Sequence, residues 1–185
     1  MEQTKNNSIF EIIKFTIISV IIIVFVRTFI AQPFIVSGAS MDPTFKTGEY
    51  LIVDELTYGM IKNPSRGDVI VFKYPKEPKI YFIKRVIGLP GETVKIRNGS
   101  VTIINSENPE GFTLTEKYVN SDHILKDDHE ITLGETQYFV MGDNRAESLD
   151  SRAWGPLEKK LIVGKPFIRL LPPSVISIFP GAVKN

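Results

Sequence analysis

A long apolar run near the N-terminus places the strongest constraint on how this chain can fold. Residues 12–31 are almost entirely apolar, with Lys14 and Arg27 as the only charges. A helix of 20 residues rises about 30 Å, which matches the hydrocarbon core of a bilayer. Both charges lie near the ends of the run, where long side chains reach the headgroups. The run predicts a single transmembrane helix, with residues 1–31 as N-terminal segment and anchor.

Two other structures are compatible with this run. A buried core helix is also apolar, but here every face is apolar and many residues are β-branched. A cleaved signal peptide fits the uncharged centre, although no small-x-small site closes the run, because the bulky Phe29 precedes Ala31. We expect an uncleaved anchor. Lys5 and Lys14, offset by two acids, give mild support for a cytoplasmic N-terminus.

Short apolar runs with the period of β-strands follow residue 48. Most are bounded by glycine or proline, and strands do not alternate with long amphipathic helices. Asn98-Gly99 between two such runs is typical of a hairpin turn. The pattern predicts a mainly β domain of antiparallel sheets over residues 32–185. The predicted strands cover residues 50–53, 68–72, 80–87, 93–97, 100–104, 138–141, 161–163 and 167–170.

A polar, acidic stretch interrupts this pattern, and we expect a smaller inserted lobe at about residues 98–136. Residues 105–136 carry a net charge of −6, whereas the whole chain carries +1. The remainder is therefore basic, which favours an anionic membrane surface. Nucleic acid is not an expected partner, because no run of Lys and Arg is interleaved with aromatic residues. The absence of cysteine excludes disulfides and thiolate metal sites.

A serine lies in a turn of small residues just after the apolar run. Residues 37–45 read Ser-Gly-Ala-Ser-Met-Asp-Pro-Thr-Phe, where Gly38 lets other backbone approach and Pro43 favours an extended Asp42. Such a turn can present the hydroxyl and the N–H of Ser40 together, as acyl transfer requires. Ser40 follows the apolar run by nine residues, so it lies within about 30 Å of its end. Most serines in such turns belong to plain loops.

A lysine in the third predicted strand is a candidate general base. Side chains alternate along a strand, so Ile80, Phe82, Lys84 and Val86 share one face. Burial among apolar neighbours disfavours an ammonium, so the pKa of Lys84 should be lowered and its amine could accept a proton. Arg85 cannot do so, since a guanidinium does not deprotonate in proteins. The alternative is an edge-strand lysine that reaches solvent.

The two histidines, His123 and His129, both lie in the acidic stretch and far from Ser40 in sequence. Their spacing fits no metal motif, and solvated loop positions are the simplest interpretation. A Ser-His-Asp triad is not excluded but has little support. A Ser-Lys pair is the remaining combination of nucleophile and base.

A loop dense in hydrogen-bonding groups follows the predicted strand at 138–141. Residues 142–152 read Gly-Asp-Asn-Arg-Ala-Glu-Ser-Leu-Asp-Ser-Arg. Gly-Asp-Asn is typical of a turn, and most such turns have no other role. The hydroxyls, carboxylates and guanidinium groups could also lock the loop and orient a neighbouring amine. A structural and a catalytic role are equally compatible with this pattern.

Taken together and in this order, these stretches resemble the characteristic boxes of bacterial type I signal peptidases. The matching boxes are residues 40–45, 84–92 and 142–152, and residues 67–72 match a fourth. The resemblance extends from the anchor to about residue 164. One span and a short insertion are more similar to Gram-positive members than to two-span ones. The resemblance implies antiparallel β structure with a smaller inserted lobe, in agreement with the periodicity.

The resemblance also implies roles for individual residues. Ser40 would be the nucleophile and Lys84 the general base of a Ser-Lys dyad that needs no metal or cofactor. Ser148 would orient Lys84, and the Ser40 N–H would donate to the oxyanion. Some members carry a hydroxyl residue two positions before the nucleophile as a second donor, where this chain has Gly38, and Glu147 stands where the pattern often has Asn. Four charged residues would hold the site together: Asp143, Arg145, Asp150 and Arg152.

By the same resemblance the chain would be a membrane-bound serine endopeptidase. It would remove signal peptides from exported preproteins through an acyl-enzyme, on the extracytoplasmic face of the cell membrane, in transient contact with the export machinery. Two other functions remain open. One is an inactive membrane-anchored protein that binds signal peptides, and the other is a self-cleaving Ser-Lys repressor. The repressor would need a DNA-binding head where this chain has an apolar run.

Overall fold

The chain forms one long helix followed by a body of antiparallel β-strands. The computed structural model describes residues 2–29, 31–120, 122 and 128–183. Helix α1 spans Glu2–Phe29, and the short helix α2 spans Ser151–Trp154. The strands are β1 (Ala31–Ile35), β2 (Tyr50–Asp54), β3 (Val69–Tyr74), β4 (Glu77–Gly88), β5 (Thr93–Arg97), β6 (Ser100–Ile104), β7 (Phe112–Thr113), β8 (His129–Thr132), β9 (Gln137–Met141), β10 (Leu157–Glu158), β11 (Ile162–Leu171) and β12 (Ser177–Ile178).

The larger sheet has eight strands, and its order is β1-β2-β11-β3-β4-β9-β10, with β12 beside β11. Every pairing in it is antiparallel. The predicted mainly β, antiparallel fold is therefore confirmed. Strand β4 lies between β3 and β9, so the lysine it carries belongs to an interior strand rather than to an edge.

A second sheet of four strands, in the order β7-β6-β5-β8, is inserted between β4 and β9 in the sequence. We call β5 to β8 and the segments between them the small lobe. Arg97 pairs with Ser100 across Asn98-Gly99, as the hairpin prediction requires. Both turn residues have positive φ, 49° at Asn98 and 82° at Gly99, which explains why this dipeptide is found there. The bounds of about 98–136 for the insertion stay a prediction.

Three clusters of buried side chains stabilise the two sheets and the turn that carries Ser40. The first joins the small lobe to β4 and β9, and the second covers the other side of the larger sheet. The third lies beneath residues 36–45 and fixes the turn that carries Ser40, with Met41 1% and Phe45 0% exposed. Fully burying one such side chain is worth about 1.5–3 kcal/mol. The first cluster consists of Ile87, Val94, Ile96, Val101, Ile103, Leu133, Phe139 and Met141, the second of Tyr58, Ile70, Phe72, Val86, Tyr138, Val140 and Leu157, and the third of Val36, Met41, Phe45, Leu51 and Val69.

The C-terminal strands differ from the prediction in one respect. Residues 162–171 form the single strand β11, not two strands at 161–163 and 167–170. Pro166 lies within β11, where a proline removes one ladder hydrogen bond. A register shift between Pro166 and Ile168 accommodates it in the pairing with β2.

Helix α1 covers most of the apolar run at 12–31. The apolar side chains between Ile9 and Val24 are largely exposed, for example 74% at Phe15 and 64% at Ile23. Within the described part of the chain, no helix meets the length and apolarity that a membrane crossing demands. Residue 30 of the predicted span lies outside the described residues. The transmembrane helix is therefore not confirmed.

Candidate active site

Ser40 is held in a tight turn between β1 and β2. The Asp42 N–H donates to the Ala39 carbonyl at 3.0 Å, and the Phe45 N–H donates to the Met41 carbonyl at 2.8 Å. The buried side chains of Met41 and Phe45 anchor the turn from below. The Ser40 side chain is left partly exposed and lines a cleft at the surface.

Lys84 meets Ser40 from the middle of β4. Its Nζ donates to Ser40 Oγ at 2.7 Å and to the Ile83 carbonyl at 3.0 Å. The Lys84 side chain is buried, with 4% exposed, and its Nζ lies 5.1 Å from the centre of the Phe82 ring. The expected burial of Lys84 among apolar neighbours is confirmed. The alternative of a solvated edge lysine is wrong, because β3 and β9 flank this strand on both sides.

Burial lowers the pKa of Lys84 from 10.5 to about 8, although the negative charges of Asp150 and Asp143 oppose the change. A large fraction of this amine is therefore neutral at mildly alkaline pH. A neutral amine 2.7 Å from a hydroxyl can take its proton, which is the geometry required of a general base. The arrangement has the chemistry of an activated serine nucleophile.

Asp143 links three parts of the site. Its carboxylate accepts two hydrogen bonds from Arg85, from Nε at 2.8 Å and from Nη2 at 2.6 Å. It also accepts the Thr44 hydroxyl at 2.5 Å. The loop after β9 is thereby joined both to β4 beside Lys84 and to the turn of Ser40. A backbone bond of 3.1 Å from the Asn144 N–H to the Ser40 carbonyl adds a further link.

Asp150 and Arg152 close the same loop on itself. Asp150 accepts Arg152 Nε at 2.8 Å and Nη2 at 2.9 Å, and it also accepts the Gly142 N–H at 3.1 Å. Burial alone raises the pKa of Asp150, but the hydrogen bonds and charge of Arg152, together with Ser148 and the Gly142 N–H, outweigh it and lower the pKa. Asp150 is therefore a carboxylate at neutral pH. Arg152 Nη2 also donates to the Arg145 carbonyl at 2.7 Å.

Ser148 is brought to the site but does not contact Lys84 by a hydrogen bond. Its Oγ is buried and has no partner of normal hydrogen-bond geometry among the described residues. It lies close enough to Asp150 to help lower the pKa of that carboxyl. A Cβ on Gly142 would overlap both Ser148 Oγ and the Ser40 carbonyl, so these groups crowd one point. The predicted orienting role of Ser148 stays a prediction.

The two predicted oxyanion donors, the N–H groups of Ser40 and Gly38, differ in availability. No acceptor for the Ser40 N–H is found in the described segments. The Gly38 N–H instead donates to the Thr47 hydroxyl at 3.0 Å, and this hydroxyl donates to the Gly38 carbonyl at 3.1 Å. Gly38 has φ +97°, a conformation that side chains rarely adopt, which explains a glycine at this position. The N–H of Gly38 is therefore occupied in this structure.

The histidines take no part in the site as described. His129 lies in β8 of the small lobe, and its ring centre is 5.6 Å from that of Phe139. His123 lies outside the described residues. Within residues 2–29, 31–120, 122 and 128–183, no group of three or more acidic or histidine side chains could hold a metal ion. The Ser-His-Asp alternative therefore gains no support.

Several residues of the site were not anticipated from the sequence. Arg85 was set aside because it cannot act as a base, yet it is 1% exposed and donates four hydrogen bonds, two of them to the Gly67 and Gly181 carbonyls. Arg169 of β11 donates to the Thr44 carbonyl at 3.0 Å and to Glu49 at 2.8 Å, which ties the end of the Ser40 turn to the C-terminal strand. Glu116 of the small lobe pairs with Arg145. No local pattern reveals these partners, since each pair joins distant parts of the chain.

The sequence is similar to known proteins over most of its length. The family described as signal peptidase, peptidase S26, matches residues 9–171. A signal peptidase I from Pseudomonas aeruginosa is 34% identical over 79% of this chain and 66% of its own length. A signal peptidase I from Bacillus licheniformis is 36% identical over 86% of this chain and 87% of its own length. A crystal structure of a signal peptidase I from Enterococcus faecalis V583 is 33% identical, covers 56% of this chain and 97% of that chain, and has a TM-score of 0.47.

The family match extends over most of the chain, including Ser40, Lys84 and the loop 142–152. The expectation drawn from the sequence boxes is therefore confirmed at the level of the family. The chain belongs to the signal peptidase family, peptidase S26, and is a serine peptidase, a hydrolase.

Proposed function

We propose that this chain is a membrane-bound endopeptidase that cleaves signal peptides from exported preproteins with a Ser40–Lys84 dyad. One observation carries the proposal. The amine of Lys84 is 2.7 Å from the Ser40 hydroxyl and has a pKa lowered to about 8. A serine is a weak nucleophile unless a nearby base removes its proton, and a buried lysine supplies that base. The relatives named signal peptidase I support the choice of substrate.

The proposed reaction has two halves. Neutral Lys84 takes the proton of Ser40 Oγ as this oxygen attacks the scissile carbonyl, and the Ser40 N–H donates to the oxyanion. Lys84 then gives its proton to the leaving amine, so that the mature protein departs and the signal peptide remains as an ester on Ser40. A water molecule, deprotonated by Lys84, attacks the ester carbonyl. The bond to Ser40 Oγ then breaks, Lys84 returns the proton to this oxygen, and the signal peptide leaves with a free carboxyl group. Asp143, Arg145, Asp150 and Arg152 hold the loop against the dyad.

The cleft at Ser40 suits an extended peptide with small side chains at alternate positions. It has a volume of about 250 Å³ and is bounded by residues before the nucleophile and along β4. The rings of Phe34 and Tyr81 line this cleft, and their centres lie 5.2 Å apart. A peptide that pairs with a strand directs every second side chain inward. We therefore expect small residues at the first and third positions before the cut.

The proposal includes anchoring through α1. Its apolar side chains from Ile9 to Val24 are largely exposed, and contiguous apolar surface of this kind marks contact with a membrane or a partner. We place the N-terminus in the cytoplasm and the β body on the extracytoplasmic face, where exported preproteins emerge. Contact with the bilayer and transient contact with the export machinery follow from this placement.

Incubation of the purified full chain in detergent with a labelled preprotein tests the proposal. The wild type should release the signal peptide, whereas Ser40→Ala and Lys84→Met should each lose at least about 1,000-fold in rate, as expected when nucleophile or base is removed. Full activity in either variant would contradict the dyad. Retention of the preprotein without cleavage would favour an inactive binding protein, and cleavage only within its own chain would favour a self-cleaving repressor.

A further inference from the structure

We propose that Glu116 and Tyr118 of the small lobe are positioning residues that hold the loop 142–152 against the dyad. The inference rests on the proposed function, because positioning matters only if the dyad acts on a substrate. It also gives a role to the acidic stretch, which the proposed reaction does not otherwise use. Glu116 and Tyr118 lie on the segment between β7 and β8, far from Ser40 in sequence.

Glu116 binds the guanidinium of Arg145 through both of its oxygens. Arg145 Nη1 donates to Oε2 at 3.0 Å, and Nη2 donates to Oε1 at 2.5 Å. The side chains are only 4% exposed at Arg145 and 10% exposed at Glu116. A forked pair out of solvent constrains both partners in distance and in angle. It is thus unlike the exposed pairs of the same lobe, such as Lys95 with Glu130 at 3.3 Å.

Tyr118 adds a second contact to the same region. Its hydroxyl donates to Glu116 Oε1 at 2.8 Å, and its ring lies 4.0 Å from the Arg85 guanidinium carbon. Arg85 in turn holds Asp143 and follows Lys84 on β4. The small lobe therefore contacts two arginines. Arg145 belongs to the loop 142–152, and Arg85 lies next to the proposed general base on β4. A cation over an aromatic face is favourable, most of all when it is desolvated.

The segment that carries these residues is itself anchored. The Leu114 N–H donates to the Val101 carbonyl at 2.8 Å, and the Val119 N–H donates to the Glu116 carbonyl at 3.0 Å. Leu114 and Tyr118 also pack against the cluster that joins the small lobe to β4 and β9. The backbone that carries Glu116 is therefore held in place.

Three hydrogen bonds carry the restraint from Arg145 towards Ser40. Arg145 Nε donates to the Gly142 carbonyl at 2.9 Å, and the Arg145 carbonyl accepts Arg152 Nη2 at 2.7 Å. The Asn144 N–H donates to the Ser40 carbonyl at 3.1 Å. If Glu116 loses its charge, a buried guanidinium is left without its carboxylate and the loop must move to hydrate it. A displacement of about 1 Å at a reacting group can cost about 100-fold in rate.

The test compares variants of the full chain for kcat and KM on one preprotein. Glu116→Gln should lower kcat by about 10- to 100-fold and leave KM within about threefold, since Glu116 lies outside the cleft and most of its lining precedes Ser40 or belongs to β4. Glu116→Asp should recover part of the loss, and Tyr118→Phe should lose about threefold because the ring remains over Arg85. Glu107→Gln and Glu110→Gln are matched controls, since both acids are exposed in the same lobe, and they should match the wild type.

A double-mutant cycle tests the route through Arg145. Adding Glu116→Gln to Arg145→Lys should lower kcat no further than Arg145→Lys alone. Additive losses would overturn this route. An unchanged kcat in folded Glu116→Gln, or a change confined to KM, would overturn the positioning role itself.

Hydrogen exchange separates failure of this inference from failure of the proposed function. Glu116→Gln should speed amide exchange in residues 142–152 and leave exchange in β3 unchanged, whether or not the chain cleaves a preprotein. If the wild type cleaves nothing, the proposed function fails while this measurement still decides the inference. If exchange rises equally throughout the body, Glu116 supports general stability and the positioning role is wrong.

Discussion

Arg85 and Asp143 form a forked ion pair in the interior of the protein, with side chains 1% and 0% exposed and a shortest distance of 2.6 Å. Arg85 follows Lys84 on β4, and Asp143 stands at the start of the loop that reaches Ser40. The pair therefore fixes the strand of the proposed base relative to the turn of the proposed nucleophile. Because the remaining guanidinium nitrogen, Nη1, donates to two backbone carbonyls, four of the five N–H groups of Arg85 have an acceptor.

Breaking this pair should destabilise the fold. Asp143→Asn removes the charge but keeps the size, so a buried guanidinium remains without its carboxylate. We expect a loss of about 3–5 kcal/mol in the free energy of unfolding, measured by denaturant titration. Asp128→Asn serves as control, since Asp128 is 68% exposed and 3.9 Å from Arg97, and it should change stability by less than about 1 kcal/mol. Equal effects in both variants would contradict the importance of the buried pair.

Cleavage should depend on the protonation of Lys84. Burial lowers its pKa to about 8, and only the neutral amine can act as base. The rate kcat/KM should therefore rise about tenfold per pH unit below this value and level off above it. The measurement is a pH–rate profile of preprotein cleavage in a buffer series of constant ionic strength. If kcat/KM rose around pH 6 instead, or did not change with pH, another group would control the reaction.

Replacing Lys84 by methionine should stabilise the protein while abolishing cleavage. The folded state holds this amine at a pKa of about 8 instead of 10.5, so the unfolded state binds more protons between these values. The free-energy cost of burying the charged amine in the folded state is therefore complete below pH 8 and disappears as pH rises to 10.5. At about 1.4 kcal/mol per pKa unit, Lys84→Met should gain up to about 3–4 kcal/mol at pH 7.

Denaturant titrations of wild type and Lys84→Met at pH 7 and near pH 10 check this expectation. The difference between the two proteins should shrink at the higher pH. Lower stability of the variant at pH 7 would indicate that the bond from Lys84 to Ser40 is worth more than the desolvation of the amine.

Gly142 should tolerate no side chain. A Cβ there would overlap Ser148 Oγ and the Ser40 carbonyl. The Ser40 carbonyl belongs to the backbone, so it cannot rotate away as a side chain can. Gly142→Ala should therefore cost about 1–3 kcal/mol in stability and most of the cleavage rate, because the turn of Ser40 is displaced. Thermal melting and preprotein cleavage measure the two effects.

Gly134→Ala provides the comparison for this substitution. The atoms nearest to a Cβ at Gly134 belong to the Gln137 side chain, the closest at 3.3 Å, and that side chain can move. The control should keep near-normal activity. Normal cleavage by Gly142→Ala would mean that the Ser40 turn adjusts without cost.

Local patterns predicted most of the longer strands and the burial of Lys84, because these depend on neighbours in sequence. The alternation around Lys84 correctly indicated an apolar face, and Asn98-Gly99 correctly marked a hairpin. Arg85 was different. It lies on the opposite face of β4, and that face is also buried because the small lobe packs against it through Ile87. An alternation of apolar and polar residues along a strand indicates one buried face, so it does not reveal a strand that is buried on both faces.

Ion pairs between residues that are distant in sequence could not be predicted from local patterns either. The pair of Glu116 with Arg145 spans 29 positions, and the pair of Arg85 with Asp143 spans 58. Each forms only once the two sheets have packed, so neither leaves a pattern along the chain. Strand β11 was divided in the prediction because Pro166 looks like a break, whereas a register shift absorbs it.

The position of Gly181 has a consequence for the order in which the site assembles during synthesis. Its carbonyl accepts Arg85 Nη1 at 2.7 Å, and Arg169 of β11 donates to the Thr44 carbonyl in the turn of Ser40. Both Arg169 and Gly181 leave the ribosome well after Ser40 and Lys84. A nascent chain therefore carries its serine and lysine before these two contacts can hold them in register.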